Sequence, residues 1–243
     1  MSGAWVGVLS AVWWTISAAH FFPGALLLTL AARFASPRRL DPFVRVFVRN
    51  VVRLAGARLR VVRDPAFDER RVAFFVSNHV NIFDPFVVHS AIPQFTRGLE
   101  LESHFDVPVY GWLMRAVGNV AVPDRTTPSS VRTLHARCRA AIEGGMSLIV
   151  FAEGTRTRSG AVGPFRPGSF RMAREFRVPV VPVSVVGAYE WKRVGDWRLR
   201  SSVITVHVHA PVEVREEDDP REVAERVRAI VARPVDDARQ RAG

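Results

Sequence analysis

The sequence predicts a mixed α/β fold, in which a largely buried β-sheet is flanked by helices and preceded by an N-terminal membrane-associated helical segment. Apolar stretches of strand length lie at residues 72–77, 147–151 and 178–186, as in strands that are covered on both faces. Helix start signals alternate with these stretches along the chain. Residues 4–32 contain no charged side chain if their histidine is neutral. Strands that alternate with helices are typical of a sheet covered on both sides.

The uncharged N-terminal stretch is longer than the ~20 residues that a helix needs to cross a bilayer. Pro23 and Gly24 lie near its middle and favour either one kinked helix or two short ones. The first would span the bilayer, and the second would form a hairpin within one leaflet. A pair of helices buried in the protein core is the alternative interpretation.

A positive flank follows this stretch, at Arg33, Arg38 and Arg39. Such a flank predicts that the rest of the chain lies on the cytoplasmic face of the cell membrane. We therefore predict a membrane anchor at residues 1–40 and one catalytic domain at residues 41–243.

Composition restricts the partners and the chemistry. With 34 Lys and Arg against 23 Asp and Glu, the net charge is +11, which predicts an anionic partner. Nucleic acid, an anionic lipid surface and a phosphorylated substrate all fit this charge. Cys138 is the only cysteine, so an intrachain disulfide and a cysteine-based metal cluster are excluded.

The remaining elements follow from local signals. The pattern of residues 41–55 predicts a basic amphipathic helix, whose arginines either contact anionic lipid head groups or face solvent. Residues 59–63 and 203–209 are further strands. Three helices begin at proline signals, which are Asp84-Pro85 with Asp84 as N-cap, Thr127-Pro128 and Asp219-Pro220.

Two polar segments, each directly after an apolar strand, carry the candidate chemistry. In the first, His79 and Asp84 are separated by a short loop that lets the carboxylate fold back onto one imidazole nitrogen. Such a pair removes a proton from a hydroxyl. In the second, Gly154 permits a tight turn, and Thr155 and Arg156 offer donors to a phosphate. Glu153 either positions Arg156 or accepts a substrate hydroxyl.

At this point the sequence resembles the glycerolipid acyltransferases, the family that includes the 1-acylglycerol-3-phosphate acyltransferases. Asn78, His79 and Asp84 match its block N-H-x-x-x-x-D. Residues 151–157 resemble F-P-E-G-T-R-S, and residues 178–183 match V-P-x-x-P-V. The three blocks in this order are far more specific than any one of them.

The sequence also departs from the family pattern. Ala152 and Thr157 replace the usual proline and serine of the second block. The family's G-x-x-F-I-x-R block is one residue longer here and ends at Arg125. Residues 101–103 stand where a lysine is usual. We therefore expect the acceptor or donor preference of this chain to differ from that usual in the family.

The resemblance implies transfer of an acyl group from acyl-CoA or acyl-carrier protein to the sn-2 hydroxyl of 1-acylglycerol-3-phosphate, with no metal or bound cofactor. His79 would be the general base and Asp84 its orienting acid. The residues implied in substrate binding are Asn78, Arg125, Glu153, Gly154, Thr155 and Arg156. The bilayer would deliver the lysophospholipid.

Two other functions remain open. Glycerol-3-phosphate, a lyso-ornithine lipid or another lysophospholipid could be the acceptor. A non-catalytic protein that binds anionic lipid or nucleic acid would need only the arginines, so His79 and Asp84 argue against it, and we do not expect nucleic acid as a partner. His207 and His209 share one strand face without nearby carboxylates, which predicts packing in preference to metal binding.

Overall fold

A computed structural model describes residues 3–242 as eight α-helices, one 3-10 helix and seven strands. The elements in chain order are α1 (Gly3–Ala31), α2 (Pro37–Leu54), β1 (Ala57–Arg63), β2 (Phe74–Ser77), α3 (Asp84–Ala91), β3 (Thr96–Leu101), the 3-10 helix (Glu102–Asp106), α4 (Tyr110–Val117), β4 (Val120–Val122), α5 (Pro128–Glu143), β5 (Ser147–Phe151), α6 (Gly168–Phe176), β6 (Val180–Val186), α7 (Ala188–Trp191), β7 (Ser202–Val208) and α8 (Pro220–Ala242).

One mixed sheet has the strand order β1-β7-β6-β2-β5-β3-β4. Only the β6–β7 pair is antiparallel, so five neighbouring strands, from β6 to β4, run in one direction. All four residues of β2, the central strand, are buried. The prediction of a mixed, largely buried sheet is confirmed, and the carboxyl ends of these five strands lie at one edge.

Helices cover both faces of the sheet because alternate residues of each strand point to opposite sides. Phe75 of β2 belongs to the core beneath α2, α3 and α4. Phe74 and Val76 belong to a second core with α5, α6 and α8. The polar segment that follows β2 therefore leaves the sheet from a strand held on both faces.

Helix α1 is a single continuous helix that includes Pro23, which agrees with the one-helix form of the prediction and not with the two-helix form. Its packing on α2 explains the continuity. Gly24 lies against the ring of Phe47, and a β-carbon at that glycine would be 2.5 Å from Phe47 Cε2. The Ser17 hydroxyl donates to the Val51 carbonyl at 3.1 Å. Contacts on both sides of the proline thus hold the two halves together.

The outer side of α1 is apolar and exposed. Residues Ala4–Ala31 are long and apolar enough to cross a membrane, and only 11% of the most apolar stretch is buried. Side chains at helical spacing, including Trp5, Val8, Val12 and Ile16, are exposed. A helix pair buried in the core therefore does not describe this segment. The predicted boundary between anchor and domain at residue 40 falls inside α2, which begins at Pro37, and it stays a prediction.

Of two helix starts predicted from proline signals, one is as expected and the other differs in detail. The helix expected at Thr127-Pro128 is present, and Thr127 and Ser130 form a reciprocal capping box. Asp84, however, is the first residue of α3 and not its N-cap, a position that Phe83 occupies without a side-chain bond. The prediction of an N-cap was wrong because the Asp84 carboxylate turns back to the preceding loop.

Candidate active site

The two polar segments meet at the carboxyl ends of β2 and β5, which are adjacent parallel strands. The His79 backbone N–H donates to Glu153 Oε1 at 2.8 Å, and the Thr157 N–H donates to the His79 carbonyl at 2.9 Å. Residues far apart in the sequence thus form one site. Its position follows the general rule that parallel strands place polar loops at their carboxyl ends.

Asp84 holds His79 through one carboxylate oxygen. His79 Nδ1 lies 2.8 Å from Asp84 Oδ2, and the same oxygen accepts the backbone N–H groups of Val80 at 2.5 Å and Asn81 at 2.7 Å. The Asp84 side chain is fully buried. Since a carboxylate only accepts, Nδ1 carries the proton, and Nε2 is left with a lone pair.

The His79 ring is fixed but still accessible. It stacks on Phe151 with ring centroids 4.2 Å apart, and its side chain is 19% exposed. The ring is therefore restrained on one face by the aromatic ring and at one edge by Asp84. Such restraint is what a general base needs, because proton transfer requires a defined position of the accepting nitrogen.

Glu153 binds the backbone of the site and has little freedom to bind anything else. Its two oxygens accept the N–H groups of His79 and of Gly163, the latter at 2.9 Å. Burial raises the pKa of this carboxyl, while those two backbone donors act in the opposite direction. Glu153 therefore joins two loops and forms no hydrogen bond with Arg156 among residues 3–242, whereas its predicted contact with a substrate hydroxyl stays a prediction.

Asn78, predicted to bind substrate, is instead an interior bridge. Its side-chain amide donates to the Val185 carbonyl at 3.0 Å, and its oxygen accepts the Val185 N–H at 2.8 Å. Only 1% of the residue is exposed. Because both amide groups already bind β6, the substrate contact expected of Asn78 has no support in this geometry.

Asn81 was missed by the sequence analysis, although it lies between His79 and Asp84. Its amide donates to the Ala188 carbonyl, and its oxygen accepts the Phe83 N–H, both at 2.8 Å. The asparagine therefore shapes the loop that brings the carboxylate to the imidazole. The signal that could have identified it is a short polar side chain in a loop, which commonly binds backbone groups nearby.

The phosphate candidates Gly154, Thr155 and Arg156 are exposed at the mouth of the site. Gly154 has a φ of 72°, a conformation that favours glycine. The guanidinium of Arg166 fills the space beside it, since a β-carbon at Gly154 would lie 2.7 Å from Arg166 Cζ. Arg166 was not predicted, and it adds a positive charge next to the turn.

Arg125 lies in the loop that follows β4, at the same edge of the sheet. The preceding Asp124 accepts the Ser103 N–H at 3.0 Å and the Ser103 hydroxyl at 2.6 Å, which ties this loop to the 3-10 helix. Within the described residues, the Arg125 side chain makes no hydrogen bond or ion pair with the other predicted site residues. Its contact with phosphate stays a prediction.

Comparison of the chain with models of protein families identifies the class of protein to which this fold and site belong. A family model described as Acyltransferase matches residues 58–186, and the chain belongs to this family. The predicted resemblance is therefore confirmed. The match includes both polar segments of the site and the strands that carry them.

More particular relatives share one name. The 1-acyl-sn-glycerol-3-phosphate acyltransferase of Cocos nucifera is 29% identical over 188 residues, which are 77% of this chain and 60% of that protein. The protein of the same name from Salmonella typhimurium is 25% identical over 202 residues, 82% of this chain and 81% of that protein. The chain spans 40% to 60% of the length of the first plant relatives.

The fold is also that of a solved structure. The crystal structure of the 1-acyl-sn-glycerophosphate (LPA) acyltransferase PlsC from Thermotoga maritima superimposes with a TM-score of 0.81 at 20% identity. The alignment covers 95% of this chain and 94% of that one. Agreement over nearly the whole chain includes the N-terminal helices.

Proposed function

We propose that this chain transfers a fatty acyl group from acyl-CoA or acyl-carrier protein to the sn-2 hydroxyl of 1-acylglycerol-3-phosphate, with His79 as general base. The observation that carries the proposal is the hydrogen bond of 2.8 Å between His79 Nδ1 and the buried Asp84, which leaves Nε2 as the basic nitrogen. The acceptor in this proposal is the one that appears in the names of the relatives. The transfer needs no metal in this scheme.

The proposed reaction is a direct transfer. His79 Nε2 removes the proton from the acceptor hydroxyl as that oxygen attacks the thioester carbonyl. The tetrahedral intermediate then collapses, the carbon–sulfur bond breaks, and the proton passes from the imidazolium to the departing thiolate. Asp84 stabilises the imidazolium while it exists, because its negative charge lies against Nδ1.

The acceptor phosphate would bind beside this base. Arg156 and Thr155 are exposed next to the backbone that Glu153 joins to His79, and Arg125 lies at the same sheet edge. Arginine and hydroxyl donors suit phosphate oxygens. Binding there would bring a glycerol hydroxyl within reach of Nε2.

We propose that the lipid substrates arrive from the cytoplasmic leaflet of the cell membrane. The exposed apolar side of α1 supports an anchor in the bilayer, and Arg33, Arg38 and Arg39 support a cytoplasmic position for the rest of the chain. In this arrangement the positive charge serves lipid and phosphate, and nucleic acid is not a partner.

A different acceptor is favoured by one observation at the same edge. Where the family usually has lysine, Glu102 forms an exposed ion pair of 3.1 Å with Arg137. A carboxylate in place of a cation weakens the attraction for a doubly charged phosphate. An acceptor with a less negative head group, such as a lyso-ornithine lipid, is therefore the second candidate.

The test is acyl transfer from labelled palmitoyl-CoA to lysophosphatidic acid by the detergent-solubilised protein. Replacing His79 by Ala should reduce the rate ~10²-fold or more, because general base catalysis contributes about that much. The matched control is His135→Ala, since this imidazole lies on α5 and pairs with Glu175. Full activity of the His79 variant would show that the base is a different group.

The same assay separates the acceptors and donors. If the wild type is inactive with these substrates but acylates a lyso-ornithine lipid, the second candidate is correct. Activity only with acyl-carrier protein would identify the donor. A wild type that acylates none of these acceptors from either donor would contradict the proposed reaction.

A further inference from the structure

A groove of about 330 Å³ lies along α2, and His79 is not among its lining residues. It is lined by two arginines and three apolar residues, which are Pro42, Arg45, Val46, Arg49 and Pro93. The function proposed above uses none of these residues. The mixture of guanidinium groups and apolar surface is what an amphipathic anion would contact.

The positive charge at the groove is only partly balanced. Arg45 pairs with Asp41, one helical turn away. Among residues 3–242, Arg49, Arg53 and Arg63 form no ion pair. Burial lowers the pKa of Arg49, and the charges of Arg53, Arg63 and Arg45 lower it further. An anion in the groove would relieve this repulsion.

Donors remain for such an anion. A guanidinium has five N–H groups, and Arg49 uses one of them, on the Ser90 carbonyl at 2.8 Å. Its Nε is buried and therefore closed to a ligand, whereas its Nη1 forms no hydrogen bond within the described part of the chain. Phosphate oxygens match the planar fork of arginine. The groove therefore offers N–H donors that the protein itself leaves unused.

The rim of the groove favours a lipid over a free ion. Val46 is 60% exposed, and Phe43, on the same helix, is 66% exposed. Large apolar side chains next to arginines are typical of helices that lie at the boundary between head groups and acyl chains. A free phosphate ion would gain nothing from them.

The groove arginines also contact the helix that begins at the active site. Arg49 donates to the Ser90 carbonyl, and Arg45 donates to the Ile92 carbonyl at 2.7 Å. These carbonyls lie at the C-terminal end of α3, while Asp84 is the first residue of the same helix. A ligand that orders the two guanidinium groups would thus act on the end of α3 opposite to the catalytic pair.

We infer that this groove binds the phosphate head group of an anionic membrane phospholipid, at a site separate from the substrate site. Binding orders Arg45 and Arg49 and stabilises the position of α3. The binding is independent of the proposed acyl transfer, whereas its effect on turnover rests on that function.

The experiment compares two double variants of the full-length protein in vesicle flotation, without acyl donor or acceptor. The variant Arg45→Gln with Arg49→Gln removes the groove charges but keeps amide donors for the carbonyls of α3. The control, Arg58→Gln with Arg60→Gln, removes the same charge from exposed positions of β1 outside the lining. Vesicles contain phosphatidylcholine with or without phosphatidylglycerol.

We expect phosphatidylglycerol to strengthen binding of the wild type and of the control, and the groove variant to lose at least ~10-fold of that gain. Equal losses in the two double variants would overturn the site and leave general attraction to a charged surface. Complete competition by inorganic phosphate at the concentration of the lipid phosphate would overturn the assignment to a lipid.

Two further measurements keep the test decisive. If the groove variant fails to fold by circular dichroism, Val46→Asp places a negative charge at an exposed rim position, and Val131→Asp on α5 is its control. Only the first should lose the gain from phosphatidylglycerol.

In the acyltransfer assay, phosphatidylglycerol should raise the kcat of the wild type and not that of the groove variant. An equal rise in both would contradict the coupling to α3.

Discussion

Replacing Asp84 by Asn tests whether the charge of this residue, and not only its shape, supports catalysis. One oxygen of the carboxylate accepts all three local donors, the His79 ring and the N–H groups of Val80 and Asn81. The asparagine oxygen can take the same place. Its NH₂ group would then occupy the position of Oδ1, which has no partner in residues 3–242. The substitution therefore keeps the tautomer of the imidazole and removes the negative charge.

The size of the effect follows from the distance. Two unit charges at the 2.8 Å that separates Nδ1 and Oδ2 interact by about 6 kcal/mol at an effective dielectric constant of about 20. That value is an upper bound, since the imidazolium charge is spread over the ring and the ring is 19% exposed. Half to two thirds of it, ~3–4 kcal/mol, corresponds to a loss of ~10²–10³-fold in kcat. The unpaired NH₂ group costs about 1–3 kcal/mol of stability in addition.

The assay is the initial rate of lysophosphatidic acid acylation at saturating donor, for the wild type, Asp84→Asn and the control Asp237→Asn. Asp237 is exposed on α8, so its amide should leave kcat unchanged. Thermal unfolding of each variant shows that the protein is folded at the assay temperature. An Asp84→Asn protein that is folded and keeps kcat within about threefold of the wild type would refute the electrostatic argument.

Three further predictions concern stability, the phosphate turn and the cysteine. Burial, together with the charge of Arg97, lowers the pKa of His89 to about 3, so the unfolded chain binds a proton there that the folded protein does not. Stability should therefore fall as the pH drops below ~6.5, by about 2 kcal/mol down to pH ~5, and denaturant titration of His89→Gln should lack this part of the slope. Gly154→Ala should lower activity about tenfold and stability by about 1 kcal/mol, because φ is 72° and the added methyl displaces Arg166; unchanged kcat and Tm would contradict this. Burial raises the pKa of Cys138 to about 12, so iodoacetamide should label it only after unfolding, and rapid labelling of the native protein would show that the thiol is exposed.

Several parts of the fold were readable from local patterns. The strands that became β2, β5 and β6 are apolar except for one serine each, because both faces are covered. Thr127 begins α5 because its side chain satisfies a free backbone N–H group of the first turn. These signals depend only on residues that are close together in the chain, so they can be recognised in a single sequence.

Strand β3 was not predicted, and its composition explains why. It contains Arg97, whose side chain is only 1% exposed and pairs with the buried Asp41 of α2. A charged residue within a buried strand contradicts the hydrophobic pattern that identifies strands. Burial is possible because the partner comes from a distant segment, and no local pattern can reveal that partner.

The arginines of α2 show the same limit. The amphipathic pattern identified the helix, but it left open whether its arginines face lipid or solvent. In the structure, one N–H group of Arg45 and one of Arg49 donate to the carbonyls of Ile92 and Ser90. Hydrogen bonds to backbone groups of another helix depend on packing, which spacing along one helix does not encode.

The sequence by itself determined that a histidine and an aspartate follow a buried strand across a short loop, that a glycine turn with an arginine follows another, and that an apolar helix comes first. Tertiary structure decided how these parts serve one site. It joined Glu153 to the backbone of His79, assigned Asn78 to the interior as a bridge to Val185, and placed Arg166 beside the glycine turn. The physical reason is range: dihedral preferences and capping act within a few residues, whereas these bonds join groups that only the packed sheet brings within 3 Å.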